Sequence, residues 1–202
     1  MILPAELTEN LVVVGRGEAE QFQKDLFDRG VLNTVRYADP TAWVTATAVA
    51  RAVAPVHEQV AAVKDRIGVV TTSAEGPVET QAAVAEAARA GFASPLRYPA
   101  GSPGSLAGVS CIAFGFRGPT LNLLHAPGEG VPLGLFLASR WLDRQTAALV
   151  VVAACARRSP GQYMARALLL GSRDTYPCPT PFDRPSAAAW LMAAGNETPG
   201  DI

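Results

Sequence analysis

A chain of 202 residues that is 49% hydrophobic can enclose one sizeable core, and a single domain over 1–202 is expected. Its 17 lysines and arginines against 18 aspartates and glutamates leave no basic excess, which argues against a nucleic-acid groove or a polybasic membrane patch. The three cysteines, Cys111, Cys155 and Cys178, are too few and too scattered for a disulfide framework or a metal site, so no metal is expected and a reducing, cytoplasmic setting fits.

Met1 to Leu7 lacks the basic start and long apolar core of a signal peptide, and no apolar stretch is long enough to span a bilayer. Leu11 to Gly15 reads as a short buried strand ended by glycine, and Glu18 to Phe27 as a helix. Gly15-Arg16-Gly17 is a weak nucleotide signal, because Glu20 stands where a third glycine belongs and two glutamates would repel a pyrophosphate. Asp39-Pro40 marks a break before a helix over Thr41 to Val53.

Ile67 to Thr72 is the next strand, and Pro77 to Ala90 has helical composition with a glycine stop at Gly91. Ser94 to Gly104 is rich in proline, glycine and serine and predicts an irregular loop. Val109 to Phe116 and Leu121 to Leu124 flank a turn and suggest two strands. Val131 to Leu142 is apolar around much of its circumference, as in a buried helix. Ala147 to Cys155 reads as a central strand and Gln162 to Leu170 as a helix. Tyr176 to Pro181 is irregular, and Ala187 to Ala194 is ambiguous. Strands apolar on both faces, alternating with helices, predict a layered α/β domain with a covered sheet.

The run Phe116-Arg117-Gly118-Pro119-Thr120-Leu121-Asn122-Leu123-Leu124-His125-Ala126-Pro127-Gly128-Glu129-Gly130 resembles the strand-to-helix elbow of β-ketoacyl synthases, roughly R-G-P-N-x-T-x-x-T-A-C-A-S-G. Ile67 to Gly76 resembles that family's G-V-V-x-G-T strand and turn, and Ser94 to Pro99 its S-P-x-x-F-P loop. Ser105 to Val109 matches the segment leading to the elbow, Ala148 to Ala154 takes the place of the strand that usually ends in G-G-A-D, and Pro181-Phe182-Asp183-Arg184 resembles R-P-F-D. The likeness runs in order over about 41–193 and implies the N-terminal half of a ketosynthase: a thiolase-like α/β/α half-domain with a mixed, mostly buried sheet.

Counting forward from Arg117-Gly118-Pro119 puts Pro127 where the family carries its catalytic cysteine. A proline has no nucleophilic side-chain atom, so acyl-thioester condensation is not expected there. The sequence ends where the family's C-terminal half, with its two histidines and a lysine, would begin, and only His57 and His125 are present. Chain-length-factor subunits resemble ketosynthases too but usually carry glutamine at the cysteine position, so analogy with them is partial.

Two readings follow. In the first the chain is a non-condensing accessory subunit in polyketide or fatty-acid-type biosynthesis, a homodimer or a heterodimer with a ketosynthase. The family pairs through the strand before the elbow, here Thr120, Leu121, Asn122, Leu123 and Leu124. In the second it is an enzyme that isomerises, dehydrates, hydrolyses or cyclises an acyl chain on an acyl carrier protein, with His125 as acid–base and Glu129 as its helper. Neither needs a bound cofactor, although a phosphopantetheine-linked acyl substrate fits both. The bland readings are Pro127 as a helix-start residue, His125 as a hydrogen-bonded histidine and Glu129 as a partner of the helix dipole. Arg140, Arg144, Arg157, Arg158, Arg166 and Arg173 read as a solvated face, or as contacts to a carrier. A degenerate remnant or an independent ligand-binding module is the third possibility.

Overall fold

The computed structural model describes residues 10–92, 94–176 and 184–195. Its strands are β1 (Leu11–Ala19), β2 (Ile67–Thr72), β3 (Thr120–Leu123), β4 (Leu149–Ser159) and β5 (Gln162–Ser172). They form one sheet in the order β1-β5-β4-β2-β3. The pairings β2–β3 and β2–β4 are parallel, whereas β5 is antiparallel to both β1 and β4, so β5 alone is reversed. The helices are α1 (Arg29–Thr34), α2 (Pro40–Val53), α3 (His57–Val63), α4 (Val78–Arg89), α5 (Ser105–Phe114), α6 (Pro127–Asp143) and α7 (Arg184–Met192).

The sheet is buried on both faces, which is why its central strands read as continuous apolar runs. Val70, Val150, Val152, Leu168 and Leu170 face α6 and α7, while Val69, Val151, Ala153, Ala165 and Leu169 face the α2 layer. The result is the layered α/β/α arrangement expected from the sequence. Helix α2 is buried along almost its whole length, and its alanines and threonines let it lie close to β1, β5 and β4. It starts where Asp39-Pro40 predicts: the Asp39 carboxylate accepts from the Thr41 amide at 2.9 Å, and Pro40 opens the first turn.

Four expectations are corrected. Glycine does not end β1, which runs on through Ala19, and Lys24–Leu26 is only a single 3-10 turn where a helix was expected. A Cβ at Gly15 or Gly17 would overlap the Ala52 or Ala48 carbonyl of α2, so the two glycines serve close packing of strand on helix rather than a nucleotide. Val109 to Phe116 lies largely in helix α5, closed by Gly115 at φ 69°; a short apolar run carries no period that separates a buried helix from a buried strand. Gln162 to Leu170 belongs to strand β5, joined to β4 by a tight turn with Gly161 at φ 75°. Both faces of β5 are covered, which masks the alternation that would identify a strand.

The ambiguous Ala187 to Ala194 is resolved as the end of α7 and the turn after it. The Ser94 to Gly104 segment is irregular except for a 3-10 turn at Pro99–Gly101. Cys178 and most of the Tyr176 to Pro181 stretch lie outside the described residues. No helix among the described residues is long and apolar enough to cross a membrane.

Candidate functional site: the elbow between β3 and α6

The turn before β3 is held by its backbone: the Gly118 amide donates to Ile67 O at 3.1 Å, and the Val69 amide to Pro119 O at 2.9 Å. A Cβ at Gly118 would lie 2.5 Å from Ile67 O, so only glycine lets Arg117-Gly118-Pro119 run this close to β2. From there β3 pairs with β2 in register from Val69↔Thr120 to Thr72↔Leu123. Its other side is the open edge of the sheet.

Along that edge Thr120, Leu121 and Leu124 are exposed, Leu121 at 39% and Leu124 at 52%, whereas Leu123 turns into the core. Asn122 is half-buried; its Oδ1 accepts from Thr71 Oγ1, and its Nδ2 is buried without a hydrogen-bond partner. The five predicted pairing residues therefore divide into an exposed apolar rim and two side chains tied to the fold.

After β3 the chain turns through Leu124 and His125 into α6, with Ala126 in extended conformation at the N-cap and Pro127 as the first helical residue. Thr72 Oγ1 donates to the His125 carbonyl at 2.9 Å, anchoring the turn to the end of β2. A Cβ at Gly130 would overlap Thr72 Oγ1, so the first turn of α6 sits against β2 only because residue 130 is glycine. Pro127 is buried, and a methyl added at Gly195, after α7, would lie 3.2 Å from its Cγ. The turn after α7 thus closes over the elbow.

His125 and Glu129 are both exposed. Among the described residues neither side chain makes a hydrogen bond or ion pair, and the principal surface cavities are lined by other residues. Burial pushes the Cys155 thiol up to about 12, despite a hydrogen bond from Thr45, and it also raises Cys111, whose Sγ lies 3.6 Å from Thr120 Oγ1. Both shifts favour the protonated thiol. Among the described residues no three histidine, cysteine or acidic side chains are placed to hold a metal.

A second polar cluster lies at the carboxyl ends of β1 and β4, and sequence reasoning missed it. Asp39 is fully buried and its two oxygens accept from the Thr41 and Thr80 amides at 2.9 and 2.8 Å, tying α2 to α4. Tyr163 donates to Glu79; burial first, then that carboxylate, push its phenol well above the ordinary range. Arg157 approaches Glu75 at 3.5 Å and Glu79 at 3.9 Å. Beside them is a cavity of about 320 Å³ lined by Phe22, Trp43, Glu79 and Tyr163. Asp39 carried a usable signal, as the N-cap before Pro40; Glu79 and Tyr163 are 84 positions apart, and no local spacing joins them.

The arginines do not form one solvated face. Arg166 is 7% exposed, donates to Glu18 at 2.8 Å and to the Trp190 carbonyl at 2.9 Å, and lies over the Trp190 ring, fastening α7 to the sheet. Arg158 pairs with Glu20 at 3.8 Å.

No protein-family model matches the chain, and no curated protein matches it. Solved structures do. The ishigamide ketosynthase/chain length factor matches with a TM-score of 0.63 at 15% identity over 85% of this chain and 64% of its own. A type II polyketide synthase acyl carrier protein in complex with its ketosynthase matches with a TM-score of 0.64 at 14% identity, over 82% of this chain and 63% of the other. A ketosynthase in complex with its chain length factor from Xenorhabdus doucetiae matches with a TM-score of 0.59 at 14% identity, over 80% and 79%. Other matched ketosynthase domains are longer, and the chain spans 41–43% of them. The likeness shows the fold: the mixed five-stranded sheet between helices is that of the ketosynthase, thiolase-like fold.

Proposed function

We propose that this chain is a non-condensing, ketosynthase-like accessory subunit of polyketide or fatty-acid-type biosynthesis, pairing through the open edge of β3 with a second copy or with a full ketosynthase. The observation that carries the reading is the combination at the elbow. Pro127, at the position matched to the family's cysteine, is buried beneath the Gly195 turn, while the strand leading to it keeps an exposed apolar rim of Leu121 and Leu124. An edge strand with unpaired backbone groups and exposed leucines gains hydrogen bonds and apolar burial when another strand is added, and it needs no catalytic group to do so. Support comes also from neighbours that are ketosynthases paired with chain length factors. A cytoplasmic setting and an acyl carrier protein as a further partner belong to the same proposal.

Co-purification with candidate ketosynthases and acyl carrier proteins tests this reading. A stable complex with a ketosynthase, and full pathway output from His125→Ala, are expected. The alternative, acid–base chemistry on a carrier-bound acyl chain, draws no support from the geometry, because His125 and Glu129 stand in solvent with nothing to orient them. If the purified chain alone alters the mass or absorbance of an acyl carrier substrate, and His125→Ala abolishes that change, the subunit reading fails.

A further inference from the structure

The cavity of about 320 Å³ beside the second polar cluster combines an aromatic wall with charges of one sign. It lies at the carboxyl ends of β1 and β4, between the starts of α2 and α4 and the β4–β5 turn at Gly161. Small-molecule sites run from roughly 300 to 1,000 Å³, so this one takes a single small ligand and not a peptide. Trp43, 8% exposed, and Phe22, 37% exposed, form the wall, their ring centroids 4.5 Å apart and their planes tilted by 36°. Phe27 braces both, at 5.3 Å from Trp43 and 5.7 Å from Phe22. Rings fixed in this way offer an apolar body a contact surface, and their π faces attract a cation.

Among the described residues the charged side chains lining the cavity are Glu20 and Glu79, both acidic, whereas Arg157 and Arg158 lie outside its walls. Glu79 is fixed through one oxygen: Oε1 accepts from Tyr163 and faces Arg157 at 3.9 Å, while Oε2 has no partner among the described residues. Glu20 likewise meets Arg158 through Oε1, at 3.8 Å, and its Oε2 has none. The positive ends of α2 and α4 do not reverse this sign, because buried Asp39 accepts from the Thr41 amide of one and the Thr80 amide of the other. Two carboxylates with spare acceptor capacity beside an aromatic wall match an ammonium group carried on an aromatic body.

We propose that this cavity binds a small primary arylalkylamine, its ring against Trp43 and Phe22 and its ammonium donating to Glu79 and Glu20. None of these residues belongs to β3, which lies at the opposite edge of the sheet from β1. Binding here is therefore a further property of the chain, independent of pairing at that edge.

The test is a ligand-observed NMR titration of the full chain at neutral pH with phenethylamine, beside phenethyl alcohol as its neutral counterpart and hydrocinnamate as its anionic one. Saturable binding of the amine is expected, with a Kd on the order of 0.1 mM, about ten-fold tighter than the alcohol and weaker at high salt. Hydrocinnamate should not bind. Glu79→Gln keeps an acceptor for Tyr163 and should weaken the amine about ten-fold while leaving the alcohol unchanged. Phe22→Ala, at a part-exposed position, should weaken amine and alcohol alike, by about five-fold. Equal affinity for amine and alcohol, tighter binding of hydrocinnamate, no saturable binding, or indifference of the amine to either variant overturns the proposal.

Discussion

The inner and outer sides of the elbow are built to opposite ends. Inside, the first turn of α6 is pressed on β2 at Gly130, Pro127 is covered by the Gly195 turn, and none of the principal surface cavities is lined by either residue. Outside, β3 ends the sheet with Thr120, Leu121 and Leu124 in solvent. What the elbow presents to solvent is a strand edge. Tight packing and an open edge are separable properties, and substitutions on the two sides should break different things.

The largest effect belongs to the inner side. Gly130→Val forces a branched side chain into Thr72, and a loss on the order of 3 kcal/mol is expected in urea unfolding. An unchanged midpoint would mean that α6 does not sit this close to β2. On the outer side Leu121→Lys should leave the unfolding midpoint in place and weaken self- or ketosynthase pairing about ten-fold by sedimentation, because a charge on an edge strand opposes strand addition.

A smaller effect is expected in the second polar cluster. Tyr163→Phe removes the donor to Glu79 and should cost about 1 kcal/mol. Since burial and Glu79 raise this phenol in the folded state, the stability it contributes is complete below about pH 10 and is lost as pH rises further. Wild-type stability should therefore fall more steeply than that of Tyr163→Phe above that pH, as read by denaturant midpoints across an alkaline series. The smallest effect is at His125: replacement by alanine should shift stability by no more than about 0.5 kcal/mol and leave pairing intact.

The sequence shows some of this directly. Helix α2 is legible because Asp39-Pro40 marks its start, and β2 and β4 because β-branched runs there are bounded by breaks. The elbow is legible only through the resemblance of the run after Arg117-Gly118-Pro119 to the ketosynthase segment, and the close contacts at Gly118 and Gly130 come from the structure. Helix α5 and strand β5 are not, since burial on several sides erases the period that distinguishes them. Nor are contacts made across the chain: Gly195 over Pro127, Glu79 with Tyr163, and Arg166 under Trp190 each join segments that only the fold brings together. The candidate site was thus readable as a local shape, whereas its closure by the turn after α7 was not.

Pairing at β3 is tested most directly by backbone hydrogen exchange of the chain, dilute and concentrated, and with a full ketosynthase added. Slowed exchange at the amides of Thr120 to Leu124 on association, abolished by Leu121→Lys, is the predicted result. A complex that forms while those amides exchange as fast as in the free chain would contradict the account.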